Sequence, residues 1–514
     1  MGELTKKHAM ARIEAHKFPI ELLTPKEMGE ADHLAASLNG GDSFKLMERA
    51  GKAVADIILD DYRHVRKIAV LCGPGNNGGD GYMAAHILKA HGFEPYIFSL
   101  AKPRAGSDAE KAAALWKGDC LAFDSFSSPE DFDVIIDALY GAGLDRPLDK
   151  PLQASLKKIN ESGVPVIAID LPSGVFGRTG ALNGEAIKAT KTVTFFRLKP
   201  GHVCYPGRAC CGEIKLADIG IPASVLQTIK PENYINFPSL WLQDWPTLDY
   251  DTHKYRRGHA VVFSGHQSST GAARLAAHAA ARSGAGLVTI LSPEDALAVH
   301  AMHLTSIMLD KMGSDTEILA FLENRKVRSV ILGPAFGSLE RALSITRSIL
   351  TKSGIFTLVL DADALTAIAG KSEDIFPLIK KSPVNVILTP HEGEFQRVFP
   401  SVAKMDGLSR IEKAAKAATD CGAVVVYKGA DTIIASPEGR LAVNVNGTPY
   451  LATAGSGDVL SGVVGGLSAQ KMLPFEAACA GVFIHARCAE HFGIGMIAED
   501  IVSAIPLVLG EFVM

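Results

Sequence analysis

The sequence predicts two α/β domains in one chain, each a three-layer αβα sandwich around a largely parallel sheet. Three observations carry that prediction. The length, 514 residues, points to two large domains or three ordinary ones at roughly 100–200 residues per domain. From residue 67 short apolar runs alternate with helical patterns, the rhythm of parallel strands joined by crossover helices. The rhythm then stops near residues 231–257 and restarts with different motifs, which marks a fusion of two unlike domains rather than a duplication.

Taken in order, residues 1–50 read as helical and amphipathic, a layer for the first sheet. The strands KIAVLCG, EPYIFSL, DVIIDALYG and VPVIAIDLPSG follow, separated by the helical GDGYMAAHILKAHG, SDAEKAAALWKG and PLQASLKKINESG. PENYINFPSLWLQDWPTLDYDTHKYRRG brings prolines, polar residues and two of the three tryptophans without either periodicity, and reads as a linker dividing 1–235 from 236–514. The second alternation runs from HAVVFSG through LVTILS, VRSVILGPAFG, FTLVLDADAL, NVILTPHEGEF and AVVVYKGADTII to a long helix punctuated by glycine.

Composition narrows the function. Lys and Arg number 52 against 56 Asp and Glu, a net charge of −4, so no bulk positive field exists to grip a nucleic-acid backbone. No run of 18 apolar residues occurs and the first 20 residues lack the hydrophobic segment of a secretory signal, so no membrane partner and a cytoplasmic location are expected. The eight cysteines are too sparse for a disulfide framework, and Cys210 with Cys211 is an adjacent pair rather than C-x-x-C. His391 and Glu392 lack the second histidine of a zinc-protease helix.

In open parallel sheets ligands sit beyond the carboxyl ends of the strands. GPGNNGGDG occupies such an end, and Gly73, Gly75 and Gly78 satisfy G-x-G-x-x-G. The next strand ends in FSLAK, without the acidic residue that holds a ribose hydroxyl, which argues against a dinucleotide oxidoreductase. The loop's amides and helix start still suit a phosphate, while Asn76, Asn77 and Asp80 suit a polar ring or a cation. Asp137 in DALYGAGLDRPL and Asp170 with Ser173 in IDLPSG lie on the same rim. Asn77, Asp137 and Ser173 offer hard oxygens to a cation. Asp170, as a buried carboxyl moved toward neutral pKa, is the candidate for proton transfer. Together GPGNNGGDG, DALYGAGLDRPL, IDLPSG and TVTFFRLKPGH resemble the NAD(P)H-hydrate epimerase family, with its Rossmann-like fold, over residues 20–225. The resemblance implies that Asn76, Asn77, Gly78, Gly79 and Asp80, with Gly141, Ala142, Gly143, Leu144, Asp145, Arg146 and Pro147, surround a hydrated nicotinamide nucleotide. It also implies that potassium (K+) sits on Asn77, Asp137 and Ser173, and that Asp170 meets the substrate near the carbon that is inverted.

In the second half TAGSGDVLSGVVGGLSAQ is the sharpest signal. Gly455 and Gly457 let bare amides converge at a helix start, and Asp458 lies in that first turn. Amides that hold the charge of a moving phosphoryl group, beside a carboxylate that takes a proton from the attacking hydroxyl, suit phosphoryl transfer. Lys428 ends a buried strand where a nucleotide is met; His391 and Glu394 end another, the histidine for a polar substrate group and Glu394 for water-bridged magnesium (Mg2+). Asp361 and Asp363 in DADAL read as structural, because no other carboxylate is near them in sequence. This half resembles the ribokinase-like superfamily and, within it, the ADP-dependent NAD(P)H-hydrate dehydratase family, over residues 240–510. The resemblance implies that the hydrate lies against Ala272, Gly337, His391 and Asp458, and that AMP or ADP lies against Lys428, Gly429, Ala430, Asp431, Thr432 and Gly457. GHQSSTGAA, and Ala335 in GPAFG where a second glycine is usual, depart from the family pattern. The expected activity is repair of NADH and NADPH hydrates by a homo-oligomer using ADP. The rivals are a ribokinase-like small-molecule kinase with a regulatory domain and a nucleotide-sensing scaffold without turnover.

Overall fold

The computed structural model describes residues 18–512 except 183, 248 and 353. The helical reading of residues 1–17 lies outside the described residues. The chain forms two compact units, the first ending at Asn233 and the second beginning at Tyr234.

The first unit is built on a seven-stranded parallel sheet. Its order is Cys120–Ala122, Glu94–Ser99, Lys67–Cys72, Val134–Ala138, Val166–Ile169, Lys191–Phe195, Glu213–Ala217. The chain lays its strands outward from Lys67–Cys72 on one side and then crosses to Val134–Ala138 on the other, so the crevice between those two carboxyl ends is the topological switch point. Alternation sorts the faces. Ile68, Val70, Ile136, Ile167 and Val193 pack beneath the helices Pro25–Leu38, Phe44–Asp61 and Asn76–Ala90. Ala69, Leu71, Ile135, Val166 and Ala168 face Leu152, Leu156 and Ile159 of the helix Lys150–Ser162. The helix Pro25–Leu38 starts where Thr24 Oγ1 accepts from Glu27 N (3.3 Å) while Thr24 N donates to Glu27 Oε2 (2.7 Å), a reciprocal cap with Pro25 inside it.

In the second unit the parallel strands run Val424–Tyr427, Asn385–Leu388, Thr357–Leu360, Ser329–Leu332, His259–Phe263, Leu287–Ser292, Met308–Lys311. Ile433–Ala435 and Leu441–Val443 add antiparallel strands beyond the first of these. One core joins Ala260, Val262, Ile331, Val359, Ile387 and Val426 to the helices Thr270–Arg282, Ser456–Ala469 and Pro474–Phe492. Gly462 and Gly466 let the second of these helices lie on the first, since a Cβ at either would meet the carbonyl oxygen of Ala276 or Ala280 within 2.4 Å.

The reading of residues 231–257 as a linker is corrected. Trp241 is fully buried in the second core, its ring 5.5 Å from Phe512 and 5.9 Å from Phe483, and tight turns at Pro238–Leu240 and Leu242–Asp244 seat it. The tryptophans lack periodicity because 3₁₀ turns, not a regular element, carry them, with Trp241 buried and Trp245 packed partly exposed beside it.

Candidate active sites

At the switch point of the first unit the three glycines of the fingerprint divide their work. A Cβ on Gly73 would lie 1.9 Å from Leu139 O, and one on Gly78 would lie 1.9 Å from Gly73 O, so both serve close backbone packing. Gly75 caps the helix Asn76–Ala90 and meets no atom within 4 Å of its Cβ position, leaving the backbone open to a ligand. A cavity of about 500 Å³ opens there. Asn76, Asn77, Asp80, Gly141, Ala142, Gly143, Leu144 and Asp170 line it. Gly79 instead packs on Met47 and Ala109, and Asp145, Arg146 and Pro147 are exposed beyond the cavity lining.

Asp170 is the most constrained of these residues. It is left-handed at φ 62°, its Oδ1 meets Lys199 Nζ at 2.8 Å and accepts from Thr194 Oγ1 at 3.0 Å, and its Oδ2 accepts from Ala142 N at 2.8 Å. Burial alone would raise its pKa, but the Lys199 ammonium and these hydrogen bonds outweigh burial and hold it down to about 2. The expectation that Asp170 sits near neutral pKa is therefore corrected, because Lys199, a buried lysine the motifs did not single out, pairs with it. The carboxyls with raised proton affinity are its neighbours. Burial, then Asp170, pushes Asp80 well above its ordinary value, and burial raises Asp32 to about 6 against the pull of Lys199. Asp32 comes from the helix Pro25–Leu38, which no motif marked. His202 Nδ1 accepts from Lys199 N (2.9 Å), so Nε2 carries the proton and donates to Asp170 O (2.7 Å). Burial holds His202 at about 4, neutral at physiological pH.

Asp137 and Ser173 meet directly: Ser173 N and Oγ donate to the two oxygens of Asp137 at 2.8 and 2.6 Å. Both residues are fully buried, and desolvation raises Asp137 to about 6. Asn77, with its amide oriented to satisfy both ends, donates to Ile169 O (3.1 Å) and accepts from Gly141 N (3.3 Å). The three residues thus sit on adjoining strand ends, and the donors they offer are oxygens around a buried carboxylate with no ion-pair partner among the described residues. That set fits a hard cation.

In the second unit the helix Ser456–Ala469 begins at Gly455, left-handed at φ 85°. The Gly457 and Asp458 amides make no hydrogen bond among the described residues, as befits the first turn of a helix. A Cβ on Gly457 would stand 3.5 Å from Lys428 Nζ and 4.0 Å from Asp361 Oδ2, so this turn, the lysine and that carboxylate share one space. Lys428 Nζ bonds Asp361 Oδ1 at 2.9 Å and lies 4.0 Å from Glu394 Oε2. Asp361 is thus corrected from structural to part of the site. Its neighbours come from other strand ends, far away in sequence. Burial, then the Asp361 charge, raises Asp458 to about 6, with Lys428 opposing. His485 Nε2 donates to Ser456 O at 2.8 Å and burial holds this histidine at about 4, so a neutral ring braces the helix start.

The other expected contacts are distributed around this centre. His391 caps its own helix, its Nδ1 accepting from Gly393 N (3.0 Å), and Glu394 Oε2 accepts from His391 N (2.8 Å). Asp431 pairs with Arg410 (3.3 Å), and Thr432 Oγ1 bonds both backbone groups of Gly429, so Gly429 and Ala430 are what the loop leaves exposed. Arg410 also stacks over Tyr427, 3.9 Å from its ring centre, a brace the sequence reading missed. Gly337 donates to Asp363 Oδ2 (2.8 Å), and Ala335 is left-handed at φ 46°, the conformation that the usual glycine adopts without strain. Ala272 lies in the first turn of the helix Thr270–Arg282.

Two α/β units, each with a lysine and several carboxylates gathered at strand ends beside an open helix start, define a two-domain α/β enzyme. Family comparisons make this specific. The YjeF-related protein N-terminus matches residues 43–201, and the Carb_kinase family, described as NAD(P)H-hydrate dehydratase, matches residues 260–507. The bifunctional NAD(P)H-hydrate repair enzyme of Moorella thermoacetica is 33% identical over 95% of this chain and 96% of its own length. That of Thermofilum pendens is 35% identical over 88% of each. The chain belongs to the bifunctional NAD(P)H-hydrate repair enzyme family. Among solved structures, an ADP/ATP-dependent NAD(P)H-hydrate dehydratase from Bacillus subtilis, crystallised with ATP and Mg2+, is 26% identical, with a TM-score of 0.46 over 54% of this chain and 98% of that one. No helix among the described residues is long and apolar enough to cross a membrane.

Proposed function

We propose that the chain restores hydrated nicotinamide nucleotides in two chemistries. Water added across the nicotinamide C5=C6 bond gives 6-hydroxy epimers that dehydrogenases do not use. The first unit interconverts the R and S hydrates of NADH and NADPH, and the second removes water from the S form at the expense of ADP, releasing AMP and phosphate.

The observation that carries the reading is Asp458 in the first turn of a helix whose Gly457 and Asp458 amides are open, beside Lys428. A carboxylate with pKa about 6 is mostly ionised at neutral pH yet basic enough to accept a proton. Asp458 takes the proton of the C6 hydroxyl as its oxygen attacks the terminal phosphoryl group of ADP. The open amides and the Lys428 ammonium hold the charge that spreads over the phosphoryl oxygens. AMP departs, and loss of the C6 phosphate with a C5 proton restores the double bond. Gly429 and Ala430 present backbone to the nucleotide, and Ala272, Gly337 and His391 bound the hydrate. Among the described residues no group of three or more His, Cys, Asp or Glu forms a metal cage, and Mg2+ enters with the nucleotide's phosphates.

In the first unit two carboxyls with proton affinities pushed apart divide the work. Asp170, held ionised by Lys199, accepts the C6 hydroxyl proton as the C6–N1 bond breaks to give a C6 aldehyde, the bonding pair going to N1, which takes a proton from Asp170. N1 then adds to the opposite face of the aldehyde, Asp170 recovers that proton, and protonated Asp80 gives a proton to the oxygen. Asn77, Asp137 and Ser173 hold potassium, which supplies the counter-charge that the buried Asp137 lacks.

The test is incubation with authentic mixed NADH hydrates, ADP and Mg2+, following recovery of reduced-nicotinamide absorbance. Asp458→Ala is expected to abolish recovery while chromatography still shows R/S interconversion; undiminished recovery refutes the assignment. Accumulation of a stable phosphorylated hydrate instead marks a kinase.

A further inference from the structure

The helix Pro25–Leu38 lies outside the matched region of the N-terminal family, yet it forms a wall of the first unit's cavity. It contributes Pro25, Met28, Gly29 and Asp32, positions that fall on one helical face by their three- and four-residue spacing. That face is otherwise apolar or small, and Asp32 is its one carboxylate. Among the described residues, no hydrogen bond or ion pair holds the Asp32 side chain. Asp170 on the same cavity is tied to Lys199, Thr194 and Ala142. The charged groups that face Asp32 are Lys199 and Asp170 from the strand ends, Asp80 from the helix Asn76–Ala90, and His33 on its own helix. Asp80 is only 9% exposed, while Asp32 is half-buried.

We infer that Asp32 relays protons between solvent and the buried Asp80 during epimerisation. When Asp80 gives its proton to the substrate oxygen, the Asp32 carboxyl resupplies the Asp80 carboxylate through water in the cavity that both line and takes another proton from solvent. Asp170 releases to water the proton it took from the C6 hydroxyl, so one proton enters through Asp32 and one leaves from Asp170 in each turnover and none is consumed. Burial sets Asp32 at about 6, where both of its forms are populated near neutrality.

The inference rests on the epimerase reading of this cavity, and the experiment separates the two. R-hydrate conversion is measured below and above about pH 6 in the full chain, in Asp32→Asn and in Asp32→Glu, with ADP-dependent use of purified S hydrate as the control. The acid form of Asp32 is the donor, so the wild-type rate falls as pH rises through about 6. Asp32→Asn is expected to lose on the order of 10²-fold together with that inflection, and Asp32→Glu to recover most of both. At each pH, S-hydrate use in both variants matches that of the wild type. A wild-type R-hydrate rate in Asp32→Asn, or a loss uniform across pH that Asp32→Glu does not repair, overturns the relay. A wild-type chain that never interconverts the epimers overturns the epimerase reading itself.

Discussion

Replacing Lys199 with Met removes the only ammonium within bonding distance of Asp170 among the described residues, and the cost can be worked from the site. Lys199 is 1% exposed; its Nζ contacts Asp170 Oδ1 at 2.8 Å, Thr194 Oγ1 at 2.9 Å and Phe195 O at 3.2 Å. The fall of Asp170 from 3.8 to about 2 represents roughly 2–3 kcal/mol in favour of its anion, at about 1.4 kcal/mol per pKa unit. Because the folded-state value is depressed, that stability is present above the ordinary carboxylate range and lost as pH falls through about 2. In Lys199→Met burial acts on Asp170 against only the hydrogen bonds from Thr194 and Ala142, so its pKa rises and the anion loses the stabilisation that the ammonium gave it. The variant is expected to lose about 3–5 kcal/mol near neutral pH, the range for stranding one partner of a buried pair. It should recover part of that loss as acid neutralises Asp170 and Asp32. Hydrogen-exchange protection of Val166–Ile169 and Lys191–Phe195, read in urea at neutral and at mildly acidic pH, isolates the first unit. An identical penalty at both pH values refutes the reasoning, since loss of the bonds to Thr194 and Phe195 alone gives that result.

The second unit and the glycine loop give further outcomes. Since Asp458 must be ionised to act as base, kcat/KM for the S hydrate should fall as pH drops through about 6. Asp361→Asn removes a charge that raises Asp458 and frees Lys428 to stabilise its anion, so the acid limb should move to lower pH. A limb that stays in place in the rate profile shows that Asp361 does not act on Asp458. Gly78→Ala puts a Cβ 1.9 Å from Gly73 O and should cost about 1–3 kcal/mol or more in thermal melts. Gly75→Ala, with open space around its Cβ position and an ordinary φ of −98°, should leave the melt unchanged but raise KM for the R hydrate. Equal melting of the two variants counts against the division of labour among the glycines.

The parallel strands were legible because buried runs such as KIAVLC and VVVY announce themselves by composition, and the polar residues after them marked the candidate sites. Gly73 and Gly78 were legible for the same local reason: a fixed spacing reports a fixed turn. What escaped was whatever depends on a partner distant in the chain. Nothing near Asp170 in sequence says that Lys199 will return from the next strand end to neutralise it, so its proton affinity was misjudged. Asp361 looked isolated because its companions Glu394, Lys428 and Asp458 arrive from separate strands and a helix. Asp32 carries no motif at all. Only an i, i+4, i+7 reading from Pro25 that treated the carboxylate as part of the buried face could have singled it out.

The two sites reach proton activity near neutral pH by the same electrostatic device. Each gathers several carboxyls around one lysine in a desolvated space, where like charges cannot all ionise cheaply. In the first unit the ammonium of Lys199 settles on Asp170 at 2.8 Å, and in the second that of Lys428 settles on Asp361 at 2.9 Å. The carboxyls left without the lysine, Asp32 and Asp458, rise to about 6. A buried histidine stands beside each centre, yet both His202 and His485 are held at about 4 and spend their Nε2 protons on the carbonyls of Asp170 and Ser456. These histidines fix backbone, and under the proposed function the carboxyls move the protons, the reverse of what residue type alone suggests. It follows that moving the lysine, rather than replacing either histidine, is the change that redistributes proton affinity within each site.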